Sequence, residues 1–85
     1  MIYKKYQRIK LEDLFGKERT DLLRSELASI SESERQKMVS LVKREIIATC
    51  REKFPDIPKN LLRTRYLRIL RKEFDCTYSY LRKYA

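Results

Sequence analysis

The chain has 85 residues, with 21 Lys and Arg against 12 Asp and Glu and no His. That length fits one domain with a modest core that folds without a disulfide or a metal. Two isolated cysteines without histidine cannot build a Cys/His zinc site, and no glycine-rich phosphate loop or nucleophile elbow occurs, so neither an enzyme nor a cofactor is expected.

The formal charge of +9 is unevenly spread. Residues 1–10 carry four bases and no acid, whereas residues 11–30 carry three bases and five acids. Residues 55–85 carry eight bases and three acids. Such asymmetry suits an oriented electrostatic surface, with nucleic acid or an acidic protein as the expected partner. No apolar run has the length of a signal peptide or a membrane span. The lone cysteines suit a reducing compartment, so the expected location is intracellular, in cytoplasm or nucleus, with no membrane partner.

Residues 1–10 interleave Ile2, Tyr3, Tyr6 and Ile9 with Lys4, Lys5, Arg8 and Lys10. The four-and-three spacing of Ile2, Tyr6 and Ile9 would dock a helical turn on the body. A mobile basic arm is the alternative. Leu11, Leu14 and Phe15 make a short apolar turn, which Gly16 ends in a left-handed C′ conformation. The next helix covers about Lys17–Ser29, with Leu23, Leu27 and Ile30 as its buried stripe and Leu22 beside them.

Ser31 and Ser33 each stand three residues before an acid or amide, the capping-box spacing. The helix they open runs to Lys53 and carries Met38, Val42, Ile46 and Phe54 in one row, widened by Val39, Leu41, Ile47 and Cys50. So broad a stripe predicts packing on more than one side. Pro55 stops it. Pro58 suits the first turn of the next helix, where its missing N–H costs nothing. That helix buries Leu62, Tyr66, Ile69, Leu70 and Phe74, and sets Arg65, Arg68 and Lys72 on another face. Asp75-Cys76-Thr77 breaks the pattern, and Thr77 caps a last helix over Tyr78–Tyr84. The expectation is a compact all-α bundle of about four helices, a single domain over residues 1–85.

Residues 67–84 resemble the helix-turn-helix DNA-binding superfamily. Leu70 and Phe74 match the inward positions of its first helix, Cys76 the small apolar residue of its turn, and Leu81 and Tyr84 the inward positions of its second helix. Thr77 falls where the family caps its recognition helix. Arg71 stands where the family places a small residue, and Asp75 where it places Gly. The resemblance implies that Thr77, Tyr78, Ser79, Arg82 and Lys83 face outward towards duplex DNA, with Arg82 able to pair bidentately with guanine. It further implies a phosphate at the helix start, a backbone clasp by Arg65, Arg68 and Lys72, and an arm of Lys4, Lys5 and Arg8.

The expected function is therefore that of a small duplex-DNA-binding transcription regulator, with a homodimer as an option. Exposed tyrosines beside arginines equally suit base stacking on RNA or a protein interface. RNA binding, and an adaptor or inhibitor that docks an acidic protein, stand as the alternatives.

Overall fold

The structure, a computed structural model, describes Tyr6 and residues 8–85. Ile2, Lys4 and Lys5 lie outside the described residues. All regular structure among those described is helical: α1 Leu11–Phe15, α2 Lys17–Leu27, α3 Glu32–Lys53, α4 Lys59–Phe74 and α5 Tyr78–Tyr84. The all-α expectation holds, with the apolar turn at 11–15 forming a short fifth helix.

Local chemistry sets each boundary. Gly16 ends α1 and starts α2 at φ 85, ψ 159. That is the mirror-extended region reserved for glycine, not the left-handed C′ conformation expected from sequence. The corner is closed by Thr20, whose fully buried hydroxyl donates to the Gly16 carbonyl at 2.7 Å. Ser31, not Ser33, caps α3: its Oγ accepts from the Glu34 N–H at 3.3 Å and donates to the Glu34 carboxylate at 3.1 Å. Pro58 precedes the first turn of α4 as its N-cap, one position earlier than expected.

The long α3 is the spine and packs against α1, α4 and α5. Val39, Val42, Ile46 and Cys50 form its buried row, joined by Leu11 and Leu14 of α1, Leu27 of α2, Leu62, Ile69, Leu70 and Phe74 of α4, and Leu81 of α5. Phe74 is fully buried, with the Arg35 guanidinium 5.6 Å from its ring centre. Burying such a ring stabilises by about 2–3 kcal/mol. Tyr6 and Ile9 are buried too, and the Tyr6 ring meets Phe54 edge-on at 5.9 Å. Of the two readings of the N-terminal segment, the docked turn describes these residues.

Leu41, expected in the broad apolar row of α3, is 55% exposed, and Leu22, beside the buried stripe of α2, is 66% exposed. The Cα extents are 41 × 29 × 17 Å, so the molecule is thin. Neighbours in so flat a body cannot surround α3, and α2 does not pack closely along it. A groove of about 240 Å³ opens between α2 and α3, with both leucines on its walls.

Ion pairs concentrate at the α1–α2 end. Arg24 reaches Glu73 of α4 with two donors, Nε at 2.8 Å and Nη2 at 2.9 Å, and Glu12 of α1 at 2.6 Å. Arg19 pairs with Glu45 across the α2–α3 groove. The Glu73 side chain is 7% exposed, so this bidentate pair pins α2 to α4 from partly inside the protein. The hydrogen bonds from Arg24 hold the Glu73 carboxyl below its ordinary range, against an opposing effect of burial. Glu73 and Glu12 in turn raise the pKa of Arg24.

Candidate nucleic-acid interface

The α4–α5 corner is built by three local devices. Asp75 ends α4 in the left-handed conformation at φ 48, ψ 55. It and Cys76 both donate their backbone N–H to the Arg71 carbonyl, Cys76 at 3.2 Å. This closes the exposed end of the helix as a left-handed cap does. Thr77 is extended, and its Oγ accepts the Tyr80 N–H at 3.2 Å, which starts α5. Leu70 and Phe74 on one side and Leu81 on the other are buried, and Tyr84 is half-buried.

Arg71 is exposed and turns outward. Its guanidinium lies over the Tyr78 ring at 4.2 Å. A cation on the face of an exposed tyrosine contributes about 0.5–1 kcal/mol. Arg71 thus braces Tyr78, the first residue of α5.

Thr77, Tyr78, Ser79, Arg82 and Lys83 are all exposed, Tyr78 at 45%. Thr77 is committed as an internal cap, because its hydroxyl is already engaged with Tyr80. Tyr78 and Arg82 line a groove of about 240 Å³ with Arg63, Tyr66 and Leu67 of α4, Leu81, and Lys43 of α3. Lys43 donates to the Ala85 carbonyl at 3.1 Å and lies 5.6 Å from the Tyr66 ring centre. Three cations from three helices therefore rim an aromatic and aliphatic floor.

The expected backbone clasp does not hold together. Arg65 is only 7% exposed. It falls in the Leu62–Arg65–Ile69 row, three and four residues apart, which faces the core. Burial, then the neighbouring Arg68 charge, pull its pKa below the usual arginine value. Arg68 and Lys72 are exposed, but on the far flank of α4, where with Lys10 they border a smaller groove against Ile9 and Leu11. Arg8 is exposed, while Lys4 and Lys5 lie outside the described residues.

Arg63, Arg71 and Lys43 are not singled out by the sequence pattern. Arg63, Leu67 and Arg71 stand four residues apart and form one row of α4. The spacing is visible in the chain, but only the direction in which α5 crosses tells which row of α4 it meets. Among the described residues, no salt bridge joins Arg63, Arg71, Arg82 or Lys83 to a carboxylate.

The half-buried Tyr80 stacks on Tyr84 at 4.8 Å in a tilted pair. Its hydroxyl is screened from solvent, and burial followed by the nearby Glu32 carboxylate raises its pKa. Of the two helix-5 tyrosines that alternate along the chain, Tyr78 is thus the one presented outward. Burial likewise raises the thiol pKa of Cys50, and of Cys76 against the pull of Arg35 and Arg71, which suits packing more than nucleophilic chemistry.

Among the described residues, no group of three or more acidic, Cys or His side chains has the arrangement to hold a metal ion, and no helix is long and apolar enough to cross a membrane. The chain matches no known family model, no curated protein and no solved structure.

Proposed function

We propose that this chain binds nucleic acid through the outer surface of α4 and α5, as a small duplex-DNA-binding regulator of the helix-turn-helix kind. The observation that carries the reading is a set of exposed cations with no carboxylate partner among the described residues: Arg63, Arg71 and Arg82 beside Tyr78, and Lys83 next to Arg82 on α5. Unpaired cations on one face neutralise phosphates and release condensed counterions, which makes binding strong at low salt and weak at high salt. The left-handed Asp75 and the Thr77 cap support the helix-turn-helix resemblance, since they make the turn it requires. Arg82, on the outward side of α5, is the base-reading candidate, while Arg63 and Lys43 suit phosphates.

A salt titration on duplex DNA, single-stranded DNA and RNA of matched length tests the reading. Duplex binding that outcompetes the single strands, and falls steeply with salt, supports it. Duplex affinity no better than about millimolar at low salt ends it. Preference for RNA or single-stranded DNA keeps the surface but replaces the duplex.

A second reading has its own observation. Tyr66, Tyr78, Leu67 and Leu81 give the α4–α5 groove an aromatic and aliphatic lining that also suits an acidic protein partner. Co-purification of one acidic protein, unchanged by nuclease treatment and lost in Arg82→Ala, favours that adaptor role over nucleic acid.

A further inference from the structure

Leu22 and Leu41 face each other's helices across the α2–α3 groove, and nothing in the proposed nucleic-acid surface uses them. Phe15, Leu23, Met38 and Val42 continue the apolar lining. Large aliphatic side chains gathered this way on an otherwise charged protein mark a contact surface more than a random exposure.

The charges around the two leucines identify what covers them. Residues three and four positions away share a helix face. Around Leu22 these include the exposed Glu18, Arg19 and Glu26. Around Leu41 they include the exposed Lys37, Arg44 and Glu45. The α2 edge therefore has an acidic excess and the α3 edge a basic one, and together they balance. On a chain of formal charge +9, this is a face where a second copy can approach without meeting net like charge.

We infer that the α2–α3 groove is the dimer interface of this protein, closed by a second copy of the chain. A two-fold contact needs a self-complementary patch. A two-fold axis running along the groove lays α2 of one copy over α3 of the other, with position along the groove preserved. Position is fixed at one end by the chain reversal between Leu27 and Glu32, and at the other by the Arg19–Glu45 pair. Glu26 of one copy then meets Lys37 of the other, and Glu18 meets Arg44. Leu22 packs over the second copy's Leu41, twice. Arg19 and Glu45 can exchange their internal pair for the same pair between copies. The inference is independent of the nucleic-acid reading, because the α4–α5 groove shares no lining residue with this one.

Sedimentation equilibrium of the purified chain, free of nucleic acid, from about 5 to about 500 µM should show a monomer–dimer equilibrium, as fits a small interface. Leu22→Glu and Leu41→Glu should each weaken association at least about tenfold. Both positions are exposed, so circular dichroism melting at a concentration where wild type is monomeric should stay unchanged and separate lost association from lost fold. Lys37→Glu should weaken the dimer, and adding Glu26→Lys should restore it to within about threefold of wild type, because the swap rebuilds both pairs across the axis. A wild type that stays monomeric throughout the range overturns the inference. So does association unaffected by the leucine variants. Failure of the charge swap to restore association overturns the two-fold arrangement.

Discussion

Arg24 and Arg82 are both arginines on the surface of short helices, yet their surroundings are opposite. Arg24 is held by Glu73, Glu12 and Asp21, and it ties three helices together. Arg82 has no carboxylate partner among the described residues and stands with Arg63 and Lys43 at the rim of a groove. A paired arginine spends its donors inside the protein and contributes to stability. An unpaired arginine keeps them for an outside anion. Net charge alone misses this division, since the +9 total counts both kinds equally.

The sharpest way to break the contrast is to remove the unpaired group. Replacing Arg63, Arg71 and Arg82 together by Ala should lower nucleic-acid affinity about 100-fold at moderate salt and flatten the salt dependence by roughly three counterions. Melting should move little, with the loss of the Arg71–Tyr78 stack its main cost. Lys17→Ala, at the acidic end, should change affinity less than about twofold. Fluorescence anisotropy over a salt series measures the affinities and their salt dependence, and circular dichroism follows the melting. Equal losses from Lys17→Ala and the triple variant would mean that binding follows total charge and not the α4–α5 face. Arg68→Ala with Lys72→Ala should fall between them, because those cations lie on the other flank of α4.

The converse experiment removes the paired group. Glu73→Ala leaves Arg24 with half-satisfied donors beside the core and should destabilise the fold by about 2 kcal/mol in urea unfolding. Affinity for nucleic acid, measured where both proteins are folded, should stay unchanged. The same contact predicts a pH effect with a definite sign. The folded-state pKa of Glu73 lies below its ordinary value of 4.5. Its contribution is therefore complete above that value, begins to fall as pH drops past it, and is gone once pH is below the depressed folded value. The stability difference between wild type and Glu73→Gln should shrink over that acid window and stay flat from there to neutral pH. A difference that persists at the lowest pH would assign the effect to packing and not to charge.

The two ends of the molecule also differ in how much of them can be read from sequence. Helix boundaries are legible because they depend on neighbours in the chain: Pro55 stops α3, Thr77 starts α5, and the 3.6-residue period finds Leu70, Phe74 and Leu81 inside. Gly16 is legible as a break but not in its conformation, because the direction in which α2 leaves the glycine determines which positive-φ region it takes. Arg65 misleads because a periodic row, not residue type, decides burial, and a long stem lets an arginine enter the edge of a core. The Arg24–Glu73 pair spans 49 residues, and no local pattern announces it. The binding surface shares that difficulty. Tyr78 and Arg82 are visible as an outward pair on one helix, but Arg63 and Lys43 join them only after three helices have packed.

The smallest effect concerns the corner between the two regions. Asp75 is a non-glycine residue in left-handed geometry, the conformation that the helix-turn-helix resemblance calls for at this position. An L side chain there costs about 1–2 kcal/mol relative to glycine, and a glycine returns part of that through the greater freedom of its unfolded chain. Asp75→Gly should therefore stabilise the fold by about 0.5–1 kcal/mol. It also removes an acid from the basic face, which should strengthen nucleic-acid binding by up to about threefold at low salt and by nothing measurable at high salt. Asp75→Ala separates the two effects. It deletes the charge as Asp75→Gly does, but it keeps a Cβ in the strained conformation. The binding gain should be common to both variants, and the stability gain should belong to glycine alone. If alanine stabilises as much as glycine, the turn is not held in the left-handed geometry, and the crossing that brings Arg82 beside Arg63 loses its support.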